Sequence, residues 1–413
     1  MKGMRYVDFI DTGYKPGKND LVCTFYLEAK NFRRAAGAVA AESSIGTWDP
    51  NLKTMRPGIR KLGAKVFHLK RNLIKISYPE ELFERGNISQ ILSSIAGNIF
   101  GMKELDSLKL LDVEIPRRMV KSFPGPGFGV KGIRNLLHVR KRPLLGTIIK
   151  PKLGLREKQH ARVAYHAWRG GLDIVKDDEN LTDMRFNRFE KRVDETLKMR
   201  NRAEEETGEK KIYMPNITAP LSEMKRRADY VMDKGGEYVM IDIITTGFSA
   251  LQEMRDYLNG RCVIHAHRAM HAAFTRNPKH GIDMKVVALF ARLAGVDQLH
   301  TGTVLGKMEG EKEEVLSTNE KLLSDLYGLK KVLPVASGGL HPGMVPALVR
   351  ILGQDLVIQA GGGVHGHPSG TEAGARAMRQ ALDAFMEGAD LRDYSREHPE
   401  LEEALKRWGV CEA

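Results

Sequence analysis

The sequence predicts an α/β chain in two parts. A (β/α)8 barrel with added C-terminal helices spans residues 126–413, and a smaller α+β domain spans residues 1–125. Three observations predict this. Beyond residue 129, short apolar runs alternate with amphipathic stretches. Polar, titratable or glycine-rich residues follow most of those runs, as a barrel rim requires. A Pro/Gly-rich joint, Phe123-Pro-Gly-Pro-Gly-Phe-Gly129, divides the two regimes.

In the first part, Cys23–Leu27 and Lys65–Ile76 read as strands, and Asn31–Glu42 and Pro79–Gly86 as helices. In the second, the strand candidates are Leu145–Lys150, Leu172–Lys176, Ile212–Asn216, Tyr238–Ile243, Cys262–His267, Gln298–Thr303, Val332–Ser337 and Leu356–Ala360. Helical spacing fills the gaps. In Arg185–Glu206, for example, Phe186, Phe189, Val193 and Leu197 recur on one face. An open doubly wound sheet is the structural alternative. The count and even spacing of the strands favour closure.

Composition sets outer limits. The chain is 42% hydrophobic and 28% charged, with the balance of a globular protein. No apolar run reaches the ~18 residues of a membrane helix. The start, MKGMRYVDFIDTGYK, lacks the apolar core of a signal peptide, so a cytoplasmic location is expected. Cys23, Cys262 and Cys411 are too few and too scattered for a disulfide framework or a zinc site. A net charge of +13 and basic stretches at Arg60–Lys75 and Arg117–Arg142 admit nucleic-acid binding. No recognition motif accompanies that charge, and a basic surface equally attracts small anionic substrates.

The most informative run is Gly171-Leu-Asp-Ile-Val-Lys-Asp-Asp-Glu-Asn180. Lys176, Asp178 and Glu179 crowd one strand end. Asp and Glu oxygens suit magnesium, whereas an ammonium would repel it. The lysine joins such a site only if its nitrogen carries a negative group, and a carbamate formed from CO2 supplies one. A plain lysine–acid salt bridge is the alternative. Ser337-Gly-Gly339 and Gln359-Ala-Gly-Gly362 follow the last two strands, where barrels commonly bind phosphate. In His265-Ala-His267-Arg268, the histidines share a strand face, fit for acid–base work or phosphate contact, and Arg268 suits phosphate. The loop Gly302–Gly310 reads as a lid carrying Lys307. Lys150 and Lys152 flank Pro151. A Schiff-base lysine is conceivable there, but the magnesium-like cluster argues against a purely Schiff-base site.

Together these motifs resemble one family. GTIIKPKLGL (146–155), GGLDIVKDDEN (170–180), HAHRAMHA (265–272), HTGTVLGKMEG (300–310), VASGGLH (335–341) and QAGGGVHGHP (359–368) are similar to the large subunit of ribulose-1,5-bisphosphate carboxylase/oxygenase. AAESSIGTW (40–48) and AGNIFGM (96–102) extend the resemblance collinearly into the first part. IIKPK, YMPNITAP and QAGGGVHGHP resemble the archaeal form III branch.

The resemblance implies a ferredoxin-like first domain, activating CO2 bound as a carbamate on Lys176, and Mg2+ held by that carbamate with Asp178 and Glu179. The carbamate would take the C3 proton of ribulose 1,5-bisphosphate. Lys307 would steady the new carboxylate, His267 would shuttle protons, and Lys150, supported by Lys152, would protonate the final carbanion. Arg268 and His300 would hold one phosphate, while Ser337, Gly338, Gly339, Gln359, Gly361 and Gly362 would line the substrate and its other phosphate. Glu42, Thr47, Trp48 and Asn98 would enter from a partner subunit, making a homodimer or an oligomer of dimers. No small subunit, nucleic acid or membrane partner is expected. An oxygenase side reaction is implied too, and the pathway would be nucleoside-phosphate salvage, with a carbon-fixation cycle as rival. Two departures stand out. Ile148 and Ile45 stand where plant-type enzymes carry threonines, and the long C-terminal tail of those enzymes is expected to be absent.

Two other functions compete: a non-carboxylating enolase or isomerase of the same fold, and a basic RNA-binding protein. The joint presence of Glu42, Asn98, Lys150, Lys152, Lys176, Asp178, Glu179, His267, His300 and Lys307 favours the carboxylase.

Overall fold

Eight parallel strands close into a barrel in the computed structural model, which describes residues 4–46, 51–305 and 312–411. Numbered in chain order through both sheets, the barrel strands are β5 (Leu144–Ile148), β6 (Ile174–Lys176), β7 (Ile212–Met214), β8 (Tyr238–Asp242), β9 (Val263–His267), β11 (Gln298–His300), β12 (Leu333–Ser337) and β13 (Val357–Gln359). Their order is β7-β6-β5-β13-β12-β11-β9-β8. A parallel bridge between Asn216 and Met240 joins the two ends, with Met240 N donating to Pro215 O at 2.9 Å. That closure excludes the open doubly wound sheet.

The strands are apolar because both faces are covered. Leu144, Ile174, Ile212, Tyr238, Val263, Leu333 and Val357 form one cluster at the strand starts, with Val130, Ile133 and Leu137 of the helix Gly129–Leu137 packed into it. Each fully buried side chain of this kind contributes about 1.5–3 kcal/mol. Asp173 and Asp297 are buried at the same end. Arg142 grips Asp173 through two bonds of 2.7 Å, and Arg255 donates to Asp297 at 2.5 Å.

This barrel belongs to a unit of Gly125–Ala269, Gly295–Asp325 and Lys330–Ala413. A second unit comprises Met1–Pro124, Met270–Ala294 and Leu326–Leu329. Its sheet contains β1 (Leu21–Glu28), β2 (Lys65–Lys70), β3 (Leu73–Tyr78), β4 (Ser107–Glu114) and the two-residue β10 (Gly281–Ile282), in the order β10-β4-β1-β3-β2. With the helices Phe32–Glu42 and Ile88–Ile95 as crossovers, this is the ferredoxin-like arrangement.

Several local expectations are corrected. Lys65–Ile76 is not one strand but most of the β2–β3 hairpin. The chain reverses at Arg71 and Asn72, both at positive φ (46° and 65°). Pro79–Gly86 holds only a 3-10 turn, Glu80–Leu82, which ends at the extended Phe83. The helix begins later, where the Asn87 side chain accepts a bond from Gln90 N at 3.0 Å. Downstream, the helix expected from Arg185 runs Phe189–Thr207. Phe186 sits in the preceding turn, 39% exposed, while Phe189, Val193 and Leu197 are buried. Among the described residues, no helix is long and apolar enough to cross a membrane.

Candidate active site

The ends of β5 and β6 bring a lysine and an acid into contact. Ile149 N donates to Lys176 O at 3.2 Å, holding the two strand ends side by side. Lys150 Nζ then reaches Asp178 Oδ2 at 2.8 Å. Lys152 is exposed and donates to Asn180 Oδ1 at 2.8 Å.

Lys176 is 1% exposed. Its Nζ donates to Asp177 O at 2.7 Å and lies 3.8 Å from Glu179 Oε2. Burial pushes its pKa down, against the raising pull of Glu179 and Asp178. The neutral amine, the form that reacts with CO2, is thereby brought closer to neutral pH. Asp177, between Lys176 and Asp178, serves a different purpose. Its carboxylate accepts from Arg192 Nε (3.0 Å), Tyr213 Oη (2.8 Å) and Asn216 N (3.0 Å). Asn216 in turn donates its side-chain amide to Glu179 O at 2.9 Å, fixing the loop that carries the acids.

His267, at the end of β9, lies beside this cluster, with Nε2 3.6 Å from Glu179 Oε2. Its Nδ1 is 2.7 Å from Asp242 Oδ1, at the end of β8. Ala269 N also approaches Nδ1, at 3.2 Å. Nε2 is thus the ring nitrogen turned toward Glu179. The His300 ring stands edge-on to His267, 5.2 Å between centroids, and accepts from Arg268 Nε at 3.2 Å. Burial lowers the Arg268 pKa to about 10, against the raising influence of Glu314. Its Nη1 is buried without a hydrogen-bond partner, an arrangement suited to an anion. Gly302 permits this packing, because a Cβ there would lie 2.6 Å from Arg268 Nη2.

Not every histidine of the His265-Ala-His267 motif reaches the rim. His265 is fully buried, bonded to Gln298 Oε1 at 3.2 Å, and burial drives its pKa well below the usual value. It is a neutral core histidine. His271 bonds Thr275 Oγ1 within the other unit.

The glycine runs lie on the same rim. Ser337 pairs in register with Gln359, and Gly338 and Gly339 both take positive φ. Gln359 is fully buried with both amide atoms unpartnered. Gly361 lets Lys150 pass close by, since a Cβ there would lie 3.2 Å from Lys150 Cε. Gly362 is exposed with nothing within 4 Å of its Cβ position.

Glu42 and Asn98 are exposed on the other unit. Thr47, Trp48 and Lys307 lie outside the described residues. Sequence reasoning missed Asp242, Asn216 and the separate role of Asp177. Asp242 carried a usable signal, an apolar strand ending in an acid.

Comparison with known proteins agrees with this geometry. The family "Ribulose bisphosphate carboxylase large chain, catalytic domain" matches residues 129–408, and its N-terminal domain counterpart matches residues 8–119. The ribulose bisphosphate carboxylase of Pyrococcus furiosus is 52% identical over 416 residues, covering 99% of this chain and 99% of that protein. Among solved structures, the octameric ribulose-1,5-bisphosphate carboxylase/oxygenase of Pyrococcus horikoshii OT3, in complex with sulfate ion, is 50% identical with a TM-score of 0.96, over 100% of this chain and 99% of that one. The dimeric archaeal Rubisco of Hyperthermus butylicus is 45% identical with a TM-score of 0.92, over 99% of this chain and 100% of that one. With both domains matched in order and full-length relatives this similar, the chain belongs to the ribulose bisphosphate carboxylase large chain family.

Proposed function

We propose that this chain catalyses Mg2+-dependent carboxylation of D-ribulose 1,5-bisphosphate with CO2 and water to two 3-phosphoglycerates, with an oxygenase side reaction. The observation that carries this reading is the buried Lys176, its pKa lowered, beside Asp178 and Glu179. Magnesium is commonly held by one or two carboxylates together with waters and substrate oxygens, and a carbamate on Lys176 would add a further anionic oxygen donor. Among the described residues no group of three or more His, Cys, Asp or Glu converges as metal ligands. The neutral Nζ attacks CO2, an N–C bond forms, one proton leaves to solvent, and the side chain turns from a neutral amine into an anion. The donor set then fits a hard cation: three oxygen-bearing groups from Lys176, Asp178 and Glu179. When bound, magnesium supplies Lewis-acid stabilisation of the enediolate.

The remaining roles fall to side chains of the chain itself. His267, its ring held by Asp242, is suited to move a proton at the C3 oxygen through Nε2. Lys150, held by Asp178, is proposed as the acid that protonates the last carbanion, with Lys152 in support. Arg268 and His300 are proposed to bind one phosphate, and Ser337, Gly338, Gly339, Gln359, Gly361 and Gly362 the rest of the substrate. Lys307 is proposed to steady the new carboxylate.

A homodimer with shared sites is part of the same proposal. The exposure of Glu42 and Asn98 and the dimeric and octameric relatives support it. Sedimentation is expected to give at least two chains per particle, and a monomer that retains full activity on dilution would overturn the shared site. Archaeal relatives support the form III assignment, for which we propose a supply of substrate from nucleoside phosphates.

The deciding assay incubates the protein with bicarbonate and Mg2+, adds ribulose 1,5-bisphosphate and labelled CO2, and measures label in 3-phosphoglycerate. Label is expected. Folded protein that exchanges the C3 proton with solvent yet fixes no label would instead be an enolase-type relative.

A further inference from the structure

His365 lies in the glycine run after β13, and no role has been given to it above. Its surroundings fix its chemistry. Nε2 is 2.9 Å from Thr147 Oγ1 and 3.0 Å from Ile148 O, while Nδ1 is 3.1 Å from Thr371 Oγ1. Thr147 spends its single hydroxyl proton on Ala360 O, at 2.6 Å. Thr147 Oγ1 can therefore only accept from the ring, and Ile148 O can only accept. Nε2 must carry the proton, and Nδ1 accepts from Thr371. Burial keeps the ring neutral by pushing its pKa down to about 4. One tautomer thus satisfies every partner.

These bonds join three segments. Thr147 and Ile148 belong to β5, two residues before Lys150. Ala360 precedes the glycines, and Gly361 O accepts from His365 N at 3.0 Å. Thr371 begins the helix Thr371–Glu387. Lys150 itself passes over Gly361, whose missing Cβ leaves 3.2 Å to Lys150 Cε. A hydrophobic residue at 365 could fill the space but could not fix the register between β5 and the glycine loop.

We infer that His365 is a positioning residue for the carboxylation reaction, joining the Lys150-bearing end of β5 to the Ala360–Gly362 loop through Thr147, Ile148 and Thr371 so that Lys150 meets the substrate at the correct distance. The inference rests on the proposed carboxylase reading, and specifically on Lys150 acting at the last protonation. It makes the early and late steps separable. Removal of the C3 proton depends on the Lys176 cluster, whereas the final proton comes from Lys150. If that proton is late, the C2 carbanion uses its electron pair to form a double bond to C1. The C1–O bond breaks, phosphate leaves, and the enol product becomes pyruvate by taking up a solvent proton.

The test compares wild type, His365→Leu and His365→Gln in three readouts: exchange of the C3 hydrogen with solvent, labelled 3-phosphoglycerate, and the pyruvate share of product. In His365→Leu, carboxylation is expected to fall by about 100-fold, the scale of an ångström-level misplacement. Exchange should stay near wild type and the pyruvate share should rise. His365→Gln, which restores an N–H donor, should recover most of the loss. Unchanged turnover in His365→Leu overturns the inference. So does a parallel fall of exchange and carboxylation, which marks a merely structural role, or a Gln variant no better than Leu. Should His365→Leu fail to fold, Thr371→Val carries the test: a smaller loss confined to the late step is expected, and its absence is equally decisive. A wild-type protein that fixes no label defeats the carboxylase reading instead, so the two failures are distinguishable.

Discussion

Replacing Lys176 with alanine is expected to cut carboxylation by at least about a thousandfold, on the order of 4 kcal/mol in the barrier. The reason is the donor count. Without Lys176, the carbamate proposed to join Asp178 and Glu179 at the end of β6 cannot form at that position. Lys176→Arg separates charge from chemistry. Arginine keeps the positive charge near Glu179 but stays protonated at any pH the protein tolerates, so it cannot form the carbamate. Both variants should be inactive if the carbamate reading is right. An active Lys176→Arg protein would show that a cation, rather than a carbamate, is what the site needs.

A binding readout accompanies the rate. Bicarbonate with Mg2+ should raise the melting temperature of wild type through preferential binding to the folded state, and should leave both variants unmoved. The pH dependence has a definite sign. The amine must be neutral to react, so activation should rise with pH. Burial, by lowering the Lys176 pKa, shifts that rise to lower pH than an exposed lysine would give.

Much of this site could be read from the sequence, for a physical reason. Parallel strands covered on both faces need uninterrupted apolar residues, so each polar strand end marks the rim. That pattern located Lys150, Lys176, His267, His300 and Ser337. It failed where identity does not give direction. Three consecutive acids follow Lys176, yet Asp177 turns away to Arg192 while Asp178 meets Lys150. His265 and His267 share a strand face, but one residue pair of depth separates a neutral core ring from one at the rim. In the N-terminal part, Arg71 and Asn72 carry no glycine to announce a turn, so two strands read as one. His365 is hidden inside a glycine motif, because its partner Thr147 lies far away in sequence and nothing marks the nearby Thr371 as a partner.

Asp177→Ala is expected to destabilise the fold by about 3–5 kcal/mol, the range for removing one partner of a buried ion pair. Arg192 is fully buried and would keep its charge. Its remaining partners, Asn187 Oδ1 at 3.0 Å and Thr182 O at 2.7 Å, are neutral acceptors that cannot replace a carboxylate. Thermal or urea denaturation should register the loss. The double variant Asp177→Ala/Arg192→Met should recover part of it, since no charge is then stranded. Acid should act through the same group. Burial tends to raise the Asp177 pKa, but Arg192 and His160, whose Nε2 lies 3.1 Å away, hold it well below the usual carboxylate range. A carboxyl depressed in the folded state stabilises above its unfolded pKa, and the contribution is lost as pH falls below that value. The variant should therefore show a flatter decline in stability on acidification than wild type. Activity should suffer as well, by a route that stability alone does not capture. Asp177 holds Asn216 N, and the Asn216 amide holds Glu179 O. The acid that never faces the substrate thus sets the backbone position of one that is proposed to hold the metal, and a variant that still folds should bind Mg2+ more weakly than wild type.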